Sequence, residues 1–398
     1  MIALKELIEK PISGDWGIEG ENVNVLRTTN FQNNGLINFE NVVKRNVPEK
    51  VIKQKKLLRG DIIIEKSGGS PTQPVGRVVF FDTTGEYICN NFTSILRPKK
   101  DLIDSKYLHY ILFANHKIGI TEKFQNKTTG IINLQLSRFI ENIQIPLPPL
   151  EIQKHIAQIL NDAAALRDKT AQLIKECDAL AQSIFLDMFG DPAFNYNNFP
   201  EQELVSLVRS SNDIKCGPFG TQLSKSEYVE SGVPIWGIPQ INSSFVKKPT
   251  EYITSEKSKT LEQYSVFPND ILMSRKGNVG TCSIYPKNWE LGILHSDALR
   301  IRCDENKVNP VFLIWQFRIS RSLIVQINNV SSGAIMAGIN VSKLKNIRPI
   351  VPPITLQNQF AEKIALIEQQ KELAKQELKE SEDLFNCLLQ KAFKGELT

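Results

Sequence analysis

"PLPPLEIQKHIAQIL", residues 146–160, returns as "IVPPITLQNQFAEKI", residues 350–364, so that Pro148 and Pro352 stand 204 positions apart. In both places a Pro-Pro pair follows a strand-like run and opens a helical pattern, at the position where a helix loses nothing by lacking an N–H. At the same shift Gln153 meets Gln357, Ala157 meets Ala361, Leu180 meets Leu384 and Phe189 meets Phe393. Self-similarity over so long a period decides architecture before any single motif does.

Upstream the two copies drift by small insertions but stay parallel. "LRGDIIIEKSGG" answers "FPNDILMSRKGN", setting Asp61 opposite Asp270 and Gly68 opposite Gly277. "VGRVVF" answers "VGTCSI", with Gly76 opposite Gly280, and "TTGIINLQLSRFIENI" answers "SSGAIMAGINVSKLKNI". Near the start, "ALKELIE" leading to Gly17 corresponds to "ELVSLVR" leading to Gly217. The chain is two copies of one unit.

Each unit has two sections. The first is rich in Gly, Asn, Ser and Thr, with short β-type runs such as "GDIIIE", "GRVVFF", "NDILMS" and "ALRIRC" and helical patches such as "SKYLHYILFA". This pattern predicts a mixed α/β globule dominated by strands. The second section predicts a helix of ~37 residues, ~55 Å long. In copy one its apolar or small positions are Ile152, Ile156, Ile159, Ala163, Leu166, Thr170, Leu173, Cys177, Leu180 and Ile184. In copy two they are Phe360, Ile364, Ile367, Lys371, Ala374, Leu378, Ser381, Phe385 and Leu388. Steps alternating between four and three over more than four repeats predict a coiled-coil seam. The expected fold is α+β: two mixed α/β domains, residues 1–145 and 191–348, in pseudo-two-fold repeat. They are joined by two long helices, 146–190 and 349–398, packed as an antiparallel coiled coil.

The 398 residues are 41% hydrophobic with a net charge of +5. Both helical segments are acidic, so the positive excess lies on the globules, which suits a polyanion such as DNA. No apolar run approaches the ~20 residues of a membrane span, and a cytoplasmic protein is expected. The six cysteines form no CxxC pair, which points to neither a disulfide framework nor a zinc site.

A catalytic site is not found. "GVPIWGI" and "GAIMAGI" lack the lysine of a phosphate-binding loop, and "GIEGEN" lacks the strand–glycine–helix context of a dinucleotide fold. Both Pro-Pro pairs follow an aliphatic residue, Leu147 or Val351, rather than the Asn or Asp with which an adenine methyltransferase grips its base. Asp61, Glu65 and Lys66 in "GDIIIEK" faintly resemble a metal-dependent nuclease centre, but adjacent Glu65 and Lys66 point to opposite faces of a strand. Copy two has Ser274 and Arg275 instead. No cofactor and no metal site is expected.

The loops suit DNA reading. After the aspartate strands, Lys66 and Ser67 in "EKSGGSPTQ" and Arg275, Lys276 and Asn278 in "SRKGN" sit beside glycines. "CNNFT" and "LHSDA" present Asn90, Asn91, Thr93, His295, Ser296 and Asp297. Further candidates are Arg27, Thr28 and Asn30 in "LRTTNF", answered by Trp236 and Gln240 in "IWGIPQI". The stretch from Asn126 through Lys127 and Thr128 to Thr129, and the pair Ser331 and Ser332, complete the set. Asn and Gln can pair with adenine, and Arg or Lys with guanine. The copies agree at framework positions and differ in these loops, as expected if each reads a different sequence.

"PLPPLEIQKHI", the long heptad helix, "FLDMFGDP" in mid-chain and "LLQKAFKGEL" near the end together resemble the specificity subunit of type I restriction-modification systems, over essentially the whole chain. The resemblance implies that each globule is a target recognition domain for one half of a bipartite double-stranded DNA sequence. It further implies that the helices set the half-site spacing and dock two methyltransferase subunits, which would methylate adenine N6 using S-adenosylmethionine. Two restriction subunits could join, bringing ATP and Mg to cleavage. The competing expectation is a coiled-coil scaffold that binds proteins only, without reading DNA.

Overall fold

The computed structural model describes residues 1–70, 72–128, 131–192, 194–330 and 338–397. It divides into two compact units, Met1–Gln172 with Ala374–Thr398, and Leu173–Leu373.

In the first unit "GDIIIE" becomes the strand Ile62–Glu65 inside a four-stranded antiparallel sheet, in the order Ile12–Ser13, Thr93–Leu96, Ile62–Glu65, Val78–Phe80. Its uninterrupted apolar run is explained by burial on both faces. Ile62 and Ile64 face a core with Tyr107, Leu108 and Ile111 of the helix Ser105–Lys117, whereas Ile63 faces Leu26, Phe81, Cys89 and Ile95. Each isoleucine so buried contributes on the order of 2 kcal/mol. A second sheet runs Val43–Asn46, Ile18–Leu26, Tyr87–Cys89, its last pair parallel. A smaller sheet joins Gln125–Thr128, Ile131–Leu134 and Ser67–Gly69.

The second unit repeats this plan. The sheet Ile214–Cys216, Ala298–Ile301, Ile271–Ser274, Cys282–Ile284 is antiparallel, with Ile271 and Met273 on one buried face and Leu272 on the other. Beside it lie Tyr252–Ile253, Val233–Trp236, Gly292–Leu294 and Ser265–Val266, in that order, with Val233–Trp236 parallel to Gly292–Leu294.

A buried ion pair marks the repeat. Arg97 grips Asp61 through two hydrogen bonds of 2.8 Å, and Arg302 grips Asp270 through two of 2.8 Å. The free oxygen capacity of each aspartate closes its own turn, accepting from Leu58 N or Phe267 N at 2.7 Å. Gly76 and Gly280 both adopt left-handed φ, +101° and +84°, where a side chain would be strained.

The repeat also corrects one expected correspondence. Gly217 answers Gly14, not Gly17: Gly14 N donates to Thr93 O and Gly217 N to Ala298 O, and Thr93 and Ala298 open equivalent strands. The reason for glycine is close approach. A Cβ at Gly14 would lie 2.0 Å from Asn90 O, and one at Gly217 would lie 2.3 Å from His295 O.

The long helices are Leu150–Phe189 and Ile354–Lys394, of 40 and 41 residues, and they pack together. In the first unit Ile156, Leu160 and Ala163 share a core with Phe385, Leu389 and Ala392, and the Arg167 guanidinium lies 4.7 Å from the Phe385 ring centre. In the second unit Asp178 pairs with Lys371 and Phe185 packs on Phe360, so the helices run antiparallel there. The expected seam of the second helix is buried or half-buried throughout. That of the first is shifted: Gln153, Leu160 and Ala181 are buried, whereas Leu166, Leu173 and Leu180 are 51%, 44% and 52% exposed. Among the described residues no helix is long and apolar enough to cross a membrane.

Candidate nucleic-acid interface

The parallel strand pair in each unit organises the loops that the sequence singles out. In the first unit Leu26 and Cys89 are neighbours at the carboxyl ends of their strands, so Arg27 and Asn90 leave the sheet side by side. Glu65 pairs with Thr93 in the adjoining sheet, which brings Lys66 to the same end, its N–H donating to Phe92 O at 2.9 Å. Loops at the carboxyl ends of strands are where open α/β sheets collect ligand-binding groups.

Several side chains bind these loops to one another. Lys66 Nζ donates to Ser13 Oγ at 2.8 Å, and its half-buried position holds the ammonium below the usual lysine range. Ser67 Oγ meets Asn133 Oδ1 at 2.5 Å, tying in the strand Ile131–Leu134, which pairs with Gln125–Thr128. Arg77 forks onto Glu65 at 2.8 and 3.0 Å and reaches Thr28 O at 3.3 Å. Glu65 and Lys66, the residues that resembled a nuclease centre, thus have different partners, Arg77 for the buried carboxylate and Ser13 for the half-exposed ammonium, and do not converge on one site. Arg27 donates to Asn41 O, and Asn91 is exposed. Asn126 accepts from Gln135. The side chains of Lys127 and Thr128, together with Thr129, Ser331 and Ser332, lie outside the described residues.

The second unit gathers its loops in the same way. Trp236 and Leu294 are neighbours, and His295 N donates to Trp236 O at 2.9 Å. Arg275 N donates to Asp297 O at 2.9 Å, its guanidinium reaches Ile339 O at 3.0 Å, and it lies 4.9 Å from the ring centre of Phe219. Lys276 Nζ pairs with Asp297 at 2.7 Å, while Asn278 is exposed and Ser296 half-exposed.

Five of the candidates are turned inward. Asn30 accepts from Arg27 N and donates to Asn38 O, shaping a turn. Thr93 donates to Asn90 O, and both residues are buried. Gln240 accepts from Gly237 N and donates to Lys248 O, and Trp236 is fully buried among Phe245, Tyr285 and Trp289. The polar groups of Asn30, Asn90, Thr93 and Gln240 shape loops instead of facing solvent, a common use of Asn, Gln and Thr beside strand ends.

The model of the type I restriction modification DNA specificity domain matches residues 4–177 and again 216–382. The chain belongs to this family. The EcoKI specificity subunit of Escherichia coli K12 is 23% identical over 94% of this chain and 82% of its own length. The putative MjaX specificity subunit of Methanocaldococcus jannaschii is 22% identical over 84% and 78%. The fold is similar to the crystal structure of a type I restriction-modification S subunit from M. genitalium, with a TM-score of 0.61 at 16% identity over 98% of this chain and 95% of that one.

As a specificity subunit the chain has no catalytic activity of its own. Among the described residues no group of three or more His, Cys, Asp or Glu side chains is placed to hold a metal. Sequence reasoning missed Ser13, Phe92, Phe219 and Glu251, which join the specificity chain's loop clusters through the contacts of Lys66, Arg275 and His295. A signal was present for two of them: "SG" at Gly14 and "CGPFG" at Gly217 are the glycine turns that touch the loops after Cys89 and Leu294.

Proposed function

We propose that residues 1–145 and 191–348 each read one half of a bipartite duplex DNA target with the loop cluster at their strand ends. The observation that carries this is the convergence, in both units, of residues from four separate stretches onto the carboxyl ends of a parallel strand pair. The exposed or half-exposed members, Arg27, Thr28, Lys66, Ser67 and Asn91 in one unit and Arg275, Lys276, Asn278, His295 and Ser296 in the other, supply cations for phosphates and amides or hydroxyls for base edges.

The helices, residues 146–190 and 349–398, set the separation of the half-sites and dock two methyltransferase subunits, with restriction subunits joining the assembly. The methyltransferases would bring S-adenosylmethionine, and the complex would act in the cytoplasm. Support for docking comes from the leucines at 166, 173 and 180, spaced by seven and left uncovered on the helix surface. Co-expression with a methyltransferase subunit and genome-wide mapping of N6-methyladenine tests the whole reading. A shared motif of two short blocks around a fixed gap is expected; methylated adenines without such a motif refute it.

A further inference from the structure

The second unit carries two carboxylates at its strand ends where the first unit has apolar side chains. Backbone hydrogen bonds set the equivalence. Lys66 N donates to Phe92 O, and Arg275 N to Asp297 O, so Asp297 occupies the place of Phe92. Val25 pairs with Ile88 and Val43, while Ile235 pairs with Ile293 and donates its N–H to Glu251 O, so Glu251 occupies the place of Val43. His295 stands where Asn90 stands, each N–H donating to the last residue of the neighbouring strand.

Glu251, His295 and Asp297 line a cavity of about 210 Å³ together with Gly237, Pro239 and Thr250. Asp297 N donates to His295 Nδ1 at 3.0 Å, which leaves the imidazole proton on Nε2, 3.8 Å from the Glu251 carboxylate. Lys276 occupies one oxygen of Asp297 at 2.7 Å, and the other lies 3.9 Å from the imidazole. Both carboxylates therefore keep acceptor capacity toward the cavity.

Acidic groups facing a polyanion are repelled unless they accept hydrogen bonds from it. In the major groove cytosine offers only its N4 amino donor, whereas adenine sets its amino group beside the N7 acceptor, which a carboxylate repels. We propose that Glu251 and Asp297 are specificity-determining residues that accept from a cytosine N4 amino group in the half-site read by the second unit. This rests on the reading that the strand ends face DNA.

The test uses the full chain assembled with its methyltransferase. Exchange of residues 191–348 first identifies the half of the motif that this unit reads. Duplexes in which each cytosine of that half is replaced by its analogue lacking the 4-amino group are then measured for binding. Wild type loses about 5- to 150-fold at one such position, and Glu251→Gln or Asp297→Asn shrinks that loss and relaxes methylation at that position alone. A half-site without cytosine, no loss for any analogue in wild type, or variants with an unchanged loss overturns the proposal. The wild-type analogue series does not depend on the variants folding. A methylation pattern with no two-part motif would instead refute the DNA-reading assignment beneath it.

Discussion

Gln153 accepts the backbone N–H of Asp104 at 2.8 Å and donates to Pro148 O at 2.8 Å, locking the proline entrance of the long helix to the start of the helix Ser105–Lys117. Asp104 in turn caps that helix by accepting from Tyr107 N at 2.9 Å. In the second unit Gln357 accepts from Asn309 N at 2.9 Å and donates to Pro352 O at 2.7 Å, and Asn309 caps Pro310–Ile319. The repeated Pro-Pro and glutamine therefore encode one joint, in which a side-chain amide satisfies a cap residue and a proline-segment carbonyl at once. Both glutamines are buried, so replacing either by Leu strands a donor and an acceptor, each at about 1–3 kcal/mol. Gln153→Leu and Gln357→Leu should each lower the unfolding midpoint in denaturant, and an unchanged midpoint would show the joint to be dispensable.

The Asp61–Arg97 and Asp270–Arg302 pairs allow a sharper test. Each aspartate is about 1–2% exposed and each arginine only partly covered. Asp61→Ala leaves Arg97 without its counter-charge and Leu58 N without its acceptor, a loss of about 3 kcal/mol. Adding Arg97→Met should recover part of that loss, because the stranded charge is gone. A double-mutant cycle on stability reads the coupling directly, and strictly additive losses would argue against the pair.

Acid should weaken the first unit. Burial pushes the His109 imidazole down to about 4, with Lys106 adding to the effect, and burial does the same for His116, helped by Arg77 and Lys117. The unfolded chain titrates near the ordinary value of 6.5. Between pH 6.5 and 4 the unfolded state therefore takes up protons that the folded state refuses, so stability is full above this window and falls as pH drops through it. His109 alone accounts for on the order of 3 kcal/mol once pH has fallen through the whole window. Melting temperatures measured from pH 7.5 to 4.5 should fall most steeply below pH 6.5, and His109→Gln should flatten that slope.

The frame of this protein is legible because its signals are redundant. A 204-residue repeat, two aspartate strands and two proline-opened helices each say the same thing, and the buried faces of Ile62–Glu65 and Ile271–Ser274 follow from their unbroken apolar runs. The first seam was legible too, but only through the repeat. Shifting the second helix's seam back by 204 gives Ile156, Leu160, Ala163, Arg167, Thr170, Ile174, Cys177, Ala181 and Ile184, the row that is buried or half-buried. Following hydrophobicity along the first helix alone selects Leu166, Leu173 and Leu180 instead, because its buried row is built partly of small and polar residues. The loops were less legible for a related reason. An Asn or Gln that shapes a turn carries the same amide as one free to meet a ligand, and only burial separates the turn-shaping Asn30, Asn90 and Gln240 from the exposed Asn91 and Asn278.

The outward leucines yield the prediction that separates folding from assembly. Leu166, Leu173 and Leu180 fall one heptad apart on Leu150–Phe189, and about half of each side chain is open to solvent. Glutamate keeps high helix propensity and fills no cavity at an exposed site, so Leu166→Glu with Leu173→Glu and Leu180→Glu should change the stability of the isolated chain by less than about 1 kcal/mol. The same charges placed in a helix–helix contact would each lose apolar burial worth about 1.5–3 kcal/mol and add a desolvated carboxylate. Assembly with the methyltransferase, followed by size-exclusion chromatography with light scattering, should fail in the triple variant while circular dichroism and melting of the chain alone are preserved. Normal assembly by the variant would overturn the proposal that these leucines dock the methyltransferase.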